Sequence, residues 1–154
     1  MEIEKKWKLS QLPQVAQTEM GKRHEIKQGY VCVEHGELRV RDKDGQCFIT
    51  AKSDGSLSRE EWEQEIPKWV FDQLWQNCQG RTLEKIRCAI PYGTLTLEVD
   101  LYLGQLSGLV TLEIEFASEA EAEQFDVTAL AADALDVTAD KRYKNKSLAV
   151  NGLP

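Results

Sequence analysis

The sequence predicts a mainly β (α+β) protein in which eight antiparallel strands close into a barrel, with a few peripheral helices. Three observations carry that prediction. Polar and apolar residues alternate with period two along most of the extended segments. Turn signals such as Asp44-Gly45 and Pro91-Tyr92-Gly93 stand between alternating runs, which implies hairpin order. The charges of the polar faces are sorted by sign, strand by strand.

In chain order, the first nine residues put Glu2, Glu4, Lys6 and Lys8 on one face of a strand, with Ile3, Trp7 and Leu9 opposite. Pro13 to Thr18 is a short helix or loop. Arg23 to Glu34 reads as a strand stopped by Gly36, and Glu37-Leu38-Arg39-Val40-Arg41 alternates strictly before the Asp44-Gly45 turn. Gln46 to Ser53 is the return strand and carries Lys52. Arg59 to Ile66 is ambiguous: extended, it lines up Glu61, Glu63 and Glu65, yet Glu and Gln also favour helix. Pro67 opens a helix over Lys68 to Cys78, with Trp69, Val70, Leu74 and Trp75 as its expected core stripe and Gly80 as its stop. Alternation returns in Leu83 to Arg87, in Thr94 to Leu103 and in Leu109 to Phe116. Ser118-Glu119-Ala120-Glu121 is a capping box that starts a helix running to Phe125, and a last short helix is expected over Asp140 to Ala149.

Length and composition bound the function. With 154 residues, 42% of them hydrophobic and 29% charged, the chain is expected to form one soluble domain over residues 1–154. A net charge of −7 argues against a general nucleic-acid binder or membrane-surface binder. No apolar run approaches a membrane span, and no signal-peptide core precedes the first strand. Cys32, Cys47, Cys78 and Cys88 are widely spaced, which reads as four buried free thiols in a reducing cytoplasm. Two histidines leave little for a His-based triad, and neither GxxxxGK[ST] nor GxGxxG occurs. Any phosphate chemistry therefore falls to side chains.

Acids collect on the strands of Glu2/Glu4, Glu61/Glu63/Glu65, Glu98/Asp100 and Glu113/Glu115. Bases collect on those of Lys6/Lys8, Arg39/Arg41, Lys52 and Lys85/Arg87. Like charges at i and i+2 repel, so a merely solvated surface has little reason to gather them. Turned inward, they make a polar tunnel with a patch for cations and a patch for a polyanion. The apolar faces then point outward, where Trp69, Trp75 and the Phe125 helix are expected to cover them.

With these residues in hand, the chain resembles the CYTH superfamily, the triphosphate tunnel metalloenzymes, in its short bacterial form. Glu2-Ile3-Glu4-Lys5-Lys6 is similar to the family's N-terminal ExExK. Arg39-Val40-Arg41 and Lys85-Ile86-Arg87 look like its basic pairs, and Lys52 like its single lysine. Asp100 to Gly104, Glu113-Ile114-Glu115 and Arg142 to Ala149 resemble later segments, all in the family's order. The resemblance implies a closed eight-stranded tunnel that binds a small-molecule triphosphate with Mg²⁺ or Mn²⁺, two ions per site. Carboxylate oxygens suit such hard cations. Glu2, Glu4, Glu113 and Glu115 are then the expected metal ligands. Lys6, Lys8, Arg39, Arg41, Lys52, Lys85 and Arg87 would hold the phosphates, and Glu63, Asp100 and Lys85 are the expected catalytic groups. Glu63 or Asp100 would hold the attacking water. The expected activity is hydrolysis of inorganic tripolyphosphate to pyrophosphate and phosphate, by a monomer or homodimer. A class IV-type adenylate cyclase, a thiamine or nucleoside triphosphatase, and a non-catalytic polyphosphate-binding module are the alternatives.

Overall fold

A computed structural model describes residues 3–17, 21–54 and 59–154. The strands are β1 (Ile3–Leu9), β2 (Lys22–Cys32), β3 (Glu37–Lys43), β4 (Gln46–Lys52), β5 (Glu61–Ile66), β6 (Thr82–Tyr92), β7 (Leu95–Tyr102), β8 (Val110–Phe116) and β9 (Leu135–Asp136). The helices are α1 (Lys68–Trp75), α2 (Glu119–Gln124) and α3 (Asn145–Asn151), with short 3₁₀ turns between elements.

The strands form one antiparallel sheet in the order β5-β4-β3-β2-β6-β7-β8-β1-β9. The mainly β architecture and hairpin order agree with the sequence, but the closed eight-stranded barrel does not. Among the described residues the sheet has nine strands and is open, with β5 and β9 at its two ends. The ninth strand is the reason. β9 pairs with β1 through Trp7 opposite Asp136 and Lys8 opposite Leu135, and the Val137 N–H donates to the Lys6 carbonyl. These bonds occupy the edge of β1 that a closing strand would need. At the other end, β5 exposes Glu61, Glu63 and Glu65, and charged residues on an edge strand discourage further pairing. The ambiguous Glu-rich segment is thus extended. Its register with β4 (Thr50 opposite Glu63, Lys52 opposite Glu61) overrides local helix propensity.

The sheet is rolled, so that side chains from β3 and β4 and from β1, β7 and β8 line one cavity. Period two then sorts each strand. On the outside, Trp7, Leu9, Cys88, Ile90, Leu97, Val99, Leu112, Ile114 and Phe116 form a core covered by Ala16, Ala122 and Phe125. A second outer core joins Val40 and Cys47 to Phe71 and Cys78. On the inside, Tyr30, Leu83 and Tyr102 pack against Tyr143, Leu148 and Ala149, so α3 fills part of the concave side with apolar groups.

α1 departs from its expected stripe. Phe71 is 1% exposed, whereas Trp69 is 69% exposed. The inward stripe is Phe71, Leu74, Trp75 and Cys78, an i, i+3, i+4, i+7 set that keeps the expected Leu74 and Trp75 and replaces Trp69 by Phe71. Gly29 fixes how near this unit sits to β2, because a Cβ there would meet Cys78 Cβ at 2.8 Å and Trp75 Cζ3 at 3.1 Å. Trp69 therefore covers none of the outer face. Cys32 is exposed at the end of β2, so three of the four free thiols are buried. Ser118 caps α2 as expected, the Glu121 N–H donating to Ser118 Oγ at 3.2 Å, while the Glu121 carboxylate accepts from the Ala117 N–H, one residue before the N-cap. The final helix is shorter than expected. Lys141–Tyr143 is a 3₁₀ turn, Lys144 is extended, and α3 begins only at Asn145.

The unequal burial has a direct test. Phe71→Ala is expected to cost about 3–5 kcal/mol and Trp69→Ala less than about 0.5 kcal/mol, read from urea unfolding midpoints. Equal costs would refute the assigned helix face.

Candidate active site

The cavity has a volume of about 610 Å³, within the range of small-molecule sites. One wall is acidic. Glu4 on β1 is the register partner of Glu115 on β8, and Glu113, two residues along, is the partner of Glu98 on β7. Burial and then the Glu113 and Glu115 carboxylates raise the Glu4 carboxyl above its ordinary value. The opposite wall is basic. Arg39, Arg41 and Lys52 face the cavity from β3 and β4, and Arg87 from β6. Arg41 is pulled down by burial and then by the Arg39 and Arg87 guanidinium groups. Its Nε donates to Gln28 Oε1 at 2.8 Å, and Gln28 in turn donates to the Tyr30 hydroxyl, which fixes the arginine's orientation. Excess negative charge on one wall and excess positive charge on the other is a combination that a cation together with a polyanion relieves.

Of the residues singled out in the sequence, Glu4, Lys6, Arg39, Arg41, Lys52, Arg87, Glu113 and Glu115 line this cavity. Glu2 lies outside the described residues. Lys8 is exposed on β1 and is not among the lining residues. Glu63 is exposed on β5, away from the lining, and accepts from Thr50 Oγ1 at 2.8 Å. Lys6 is buried and already engaged, donating to the Tyr143 carbonyl at 2.5 Å with Glu113 Oε1 at 3.3 Å.

Lys85 and Asp100 lie behind the wall, at 1% and 0% exposure. Asp100 Oδ2 accepts from Lys85 Nζ at 2.8 Å and from Arg87 Nη2 at 2.9 Å, while Oδ1 accepts from Arg87 Nε at 2.8 Å. Both carboxylate oxygens are thereby committed. Burial pushes the Asp100 carboxyl up, but Lys85 and Arg87 outweigh it and hold it at about 2. Burial draws Lys85 down to about 8 against the pull of Asp100. Arg87 bridges outward, its Nη1 donating to Glu98 at 3.1 Å. The network ties the basic group that reaches the cavity to a rigid floor.

The sequence resembles the family over Arg142 to Ala149 but gives this segment no site residue, and the structure brings it to the cavity. Thr138, Asp140, Tyr143, Lys144, Asn145 and Lys146 all line the cavity, as do Glu37 and Arg59. Tyr102 Oη donates to Asn145 Oδ1 at 2.8 Å, which anchors the start of α3 to β7. The alternation at Glu37 was visible in the sequence. The C-terminal residues carry no strand periodicity, and the pairing of β9 with β1 together with the Lys6–Tyr143 and Tyr102–Asn145 bonds brings them in.

Chemically, the acidic wall offers carboxylate oxygens alone, the donor set of a hard divalent cation. The repulsion on Glu4 fits a cation there. Among the described residues no three carboxylates converge on one ligating point, since Glu113 leans to Lys6 and Glu98 to Arg87.

A rolled, open antiparallel sheet with a carboxylate wall facing an arginine wall defines a mainly β domain around one charged cavity. The chain belongs to the CYTH domain family, whose model matches residues 1–152. That membership implies a divalent metal requirement. An inorganic triphosphatase of Nitrosomonas europaea is 38% identical over 156 residues, covering 97% of each chain. An inorganic triphosphatase of Acetivibrio thermocellus is 33% identical over 129 residues, covering 81% of this chain and 80% of the relative. The crystal structure of an inorganic triphosphatase, 33% identical, superposes with a TM-score of 0.81 and covers 100% of this chain and 97% of that one. Among the described residues no helix is long and apolar enough to cross a membrane.

The floor network is open to a pH test. The Asp100 carboxyl titrates lower in the folded state (about 2) than its ordinary 3.8, so its stabilisation is present above pH 4 and is lost as pH falls towards 2. On acidification from pH 4.5 to 2.5, the native chain is expected to lose on the order of 2 kcal/mol more stability than Asp100→Asn. Unfolding curves at the two pH values measure this, and equal losses would refute the pairing.

Proposed function

We propose that the chain hydrolyses inorganic tripolyphosphate to pyrophosphate and phosphate inside the charged cavity. The observation that carries this reading is the division of one 610 Å³ cavity into a carboxylate wall and an arginine wall. The names of the two curated relatives, both inorganic triphosphatases, support it independently.

In this reading Glu4, Glu113, Glu115 and Glu2 would hold a pair of Mg²⁺ or Mn²⁺ ions. When bound, such ions neutralise phosphate charge and acidify a bound water. Arg39, Arg41, Lys52 and Arg87 bind the phosphate oxygens, the arginines through paired donors. They stabilise the charge that passes to the pyrophosphate as the bridging P–O bond breaks and water oxygen bonds to the terminal phosphorus. Lys6 adds to this wall by exchanging its Tyr143 and Glu113 partners for phosphate. Asp100, with both oxygens committed, acts as a positioning residue for Lys85 and Arg87 and does not hold the water. Lys85 supplies positive charge from behind the wall. Lys8 and Glu63 stand outside the lining and have no step in this reading. Residues 1–154 act as one unit, and one chain lines the whole cavity, so a monomer or either half of a homodimer carries a complete site. Buried thiols at Cys47, Cys78 and Cys88 suit a reducing cytoplasm.

Product analysis with tripolyphosphate, ATP and thiamine triphosphate, each with Mg²⁺ and with Mn²⁺, tests the proposal. Metal-dependent phosphate release, fastest from tripolyphosphate, is expected. Cyclic nucleotide from ATP, or no product from any substrate, would overturn it. Glu4→Gln is expected to lower turnover by about 100-fold or more, corresponding to the several kcal/mol that a catalytic cation contributes. It should leave the urea midpoint unchanged or higher, because a repelling charge is removed. Native turnover in that variant would sink the metal assignment.

A further inference from the structure

We propose that Glu37 sets the length of polyphosphate chain that the cavity accepts. The inference rests on the reading of the cavity as a site for a linear inorganic polyphosphate. On the inner face of β3 the order is Glu37, Arg39, Arg41, a single acid at the head of a basic row. Its side chain is only 9% exposed, and its two oxygens stand 3.7 Å from Arg39 Nη1 and 3.7 Å from Arg59 Nη2. Both distances exceed hydrogen-bond length, so the carboxylate balances these charges without using their donors. Arg39 Nε is buried and has no hydrogen-bond partner among the described residues. Arg59 Nε donates to the Ser53 carbonyl at 3.3 Å, so Arg39 is the guanidinium left with a buried free donor beside a carboxylate that balances its charge, and Glu37 stands where a phosphoryl group would otherwise bind it.

Space continues past that point. A smaller cavity of about 150 Å³ is lined by Val33, Gly36, Ser53, Asp54, Arg59 and Lys146. Arg59 and Lys146 belong to both this annex and the main cavity. An added phosphoryl group would find two cations there beside the Asp54 carboxylate, and Glu37 stands 3.7 Å from Arg59, one of the two that both cavities share. In a partly buried setting, like charges a few ångströms apart repel strongly. Glu37 thus acts as a selective barrier at the junction, favouring a three-phosphate chain over a longer one through repulsion of the wrong ligand.

The experiment compares inorganic tripolyphosphate with linear tetrapolyphosphate on the full chain, in two ways. Phosphate release gives the ratio of kcat/KM values, and calorimetric titration without divalent metal gives the ratio of affinities. Glu37→Gln, nearly isosteric, is expected to raise the tetra-to-tri ratio by about tenfold in both, equivalent to about 1.4 kcal/mol. Arg59→Gln leaves Glu37 less compensated and is expected to lower the ratio, while Glu37→Asp should keep it close to the native value. An unchanged ratio in Glu37→Gln, or a shift in the same direction for Glu37→Gln and Arg59→Gln, would overturn the proposal. A native chain without turnover would count against the hydrolase reading alone, because the affinity ratio still decides the role of Glu37.

Discussion

Asp100 is the group on which the interior depends. It is a fully buried carboxylate that accepts three charge-assisted hydrogen bonds, from Lys85 and from two nitrogens of Arg87. A charge buried without partners is severely penalised, and satisfying it requires β6 and β7 to sit in the register that sets Arg87 opposite Asp100. That register presents Arg87 to the cavity and leaves Glu98 beside it, joining the basic wall to the acidic one. Paired charges thus form the floor of the polar cavity, beside the inner apolar cluster around Tyr30 and Tyr102.

The same inversion explains the outside. Strands that turn charged faces inward must turn Trp7, Leu97, Leu112, Phe116 and their neighbours outward, and these have to be covered. The segment around Ala16, the helix α2 and Phe125 cover one part, and α1 covers another through Phe71 and Cys78. The helices are short, and α1 and α2 supply nothing to the cavity, whereas α3 also brings Asn145 and Lys146 to its lining. Their task is to keep apolar surface from water so that the sheet can present carboxylates and guanidinium groups on its concave side.

The C-terminal segment links the two ends of this design. Pairing at β9 and the bonds of Val137 and Thr138 to Lys6 bind it to β1. Tyr143, Leu148 and Ala149 then reach the inner cluster around Tyr30 and Tyr102. Polar residues between these anchors face the cavity, so an open sheet still encloses its contents. Lys6 joins the two, since its ammonium holds the Tyr143 carbonyl while it lines the cavity beside Glu113 of the carboxylate wall.

Period-two alternation with sorted charges by itself determined the β architecture, the inward turn of the polar faces and most of the cavity wall: Glu4, Lys6, Arg39, Arg41, Lys52, Arg87, Glu113 and Glu115. These are local properties, because a strand's two faces are set by its own sequence. Tertiary structure alone decided which of the inward groups are reachable. Lys85 and Asp100 share the alternation of Arg87 and Glu98, yet they are sealed behind them, because burial depends on the strands and helices packed alongside. It also decided that the sheet stays open, through a two-residue strand too short to carry a pattern. The rotation of α1 that buries Phe71 and leaves Trp69 in water came from its close seat on Gly29. Recruitment of Lys144 and Lys146 to the cavity rests on contacts more than 100 residues apart along the chain, such as Lys6 with Tyr143 (separation 137), which no local period encodes.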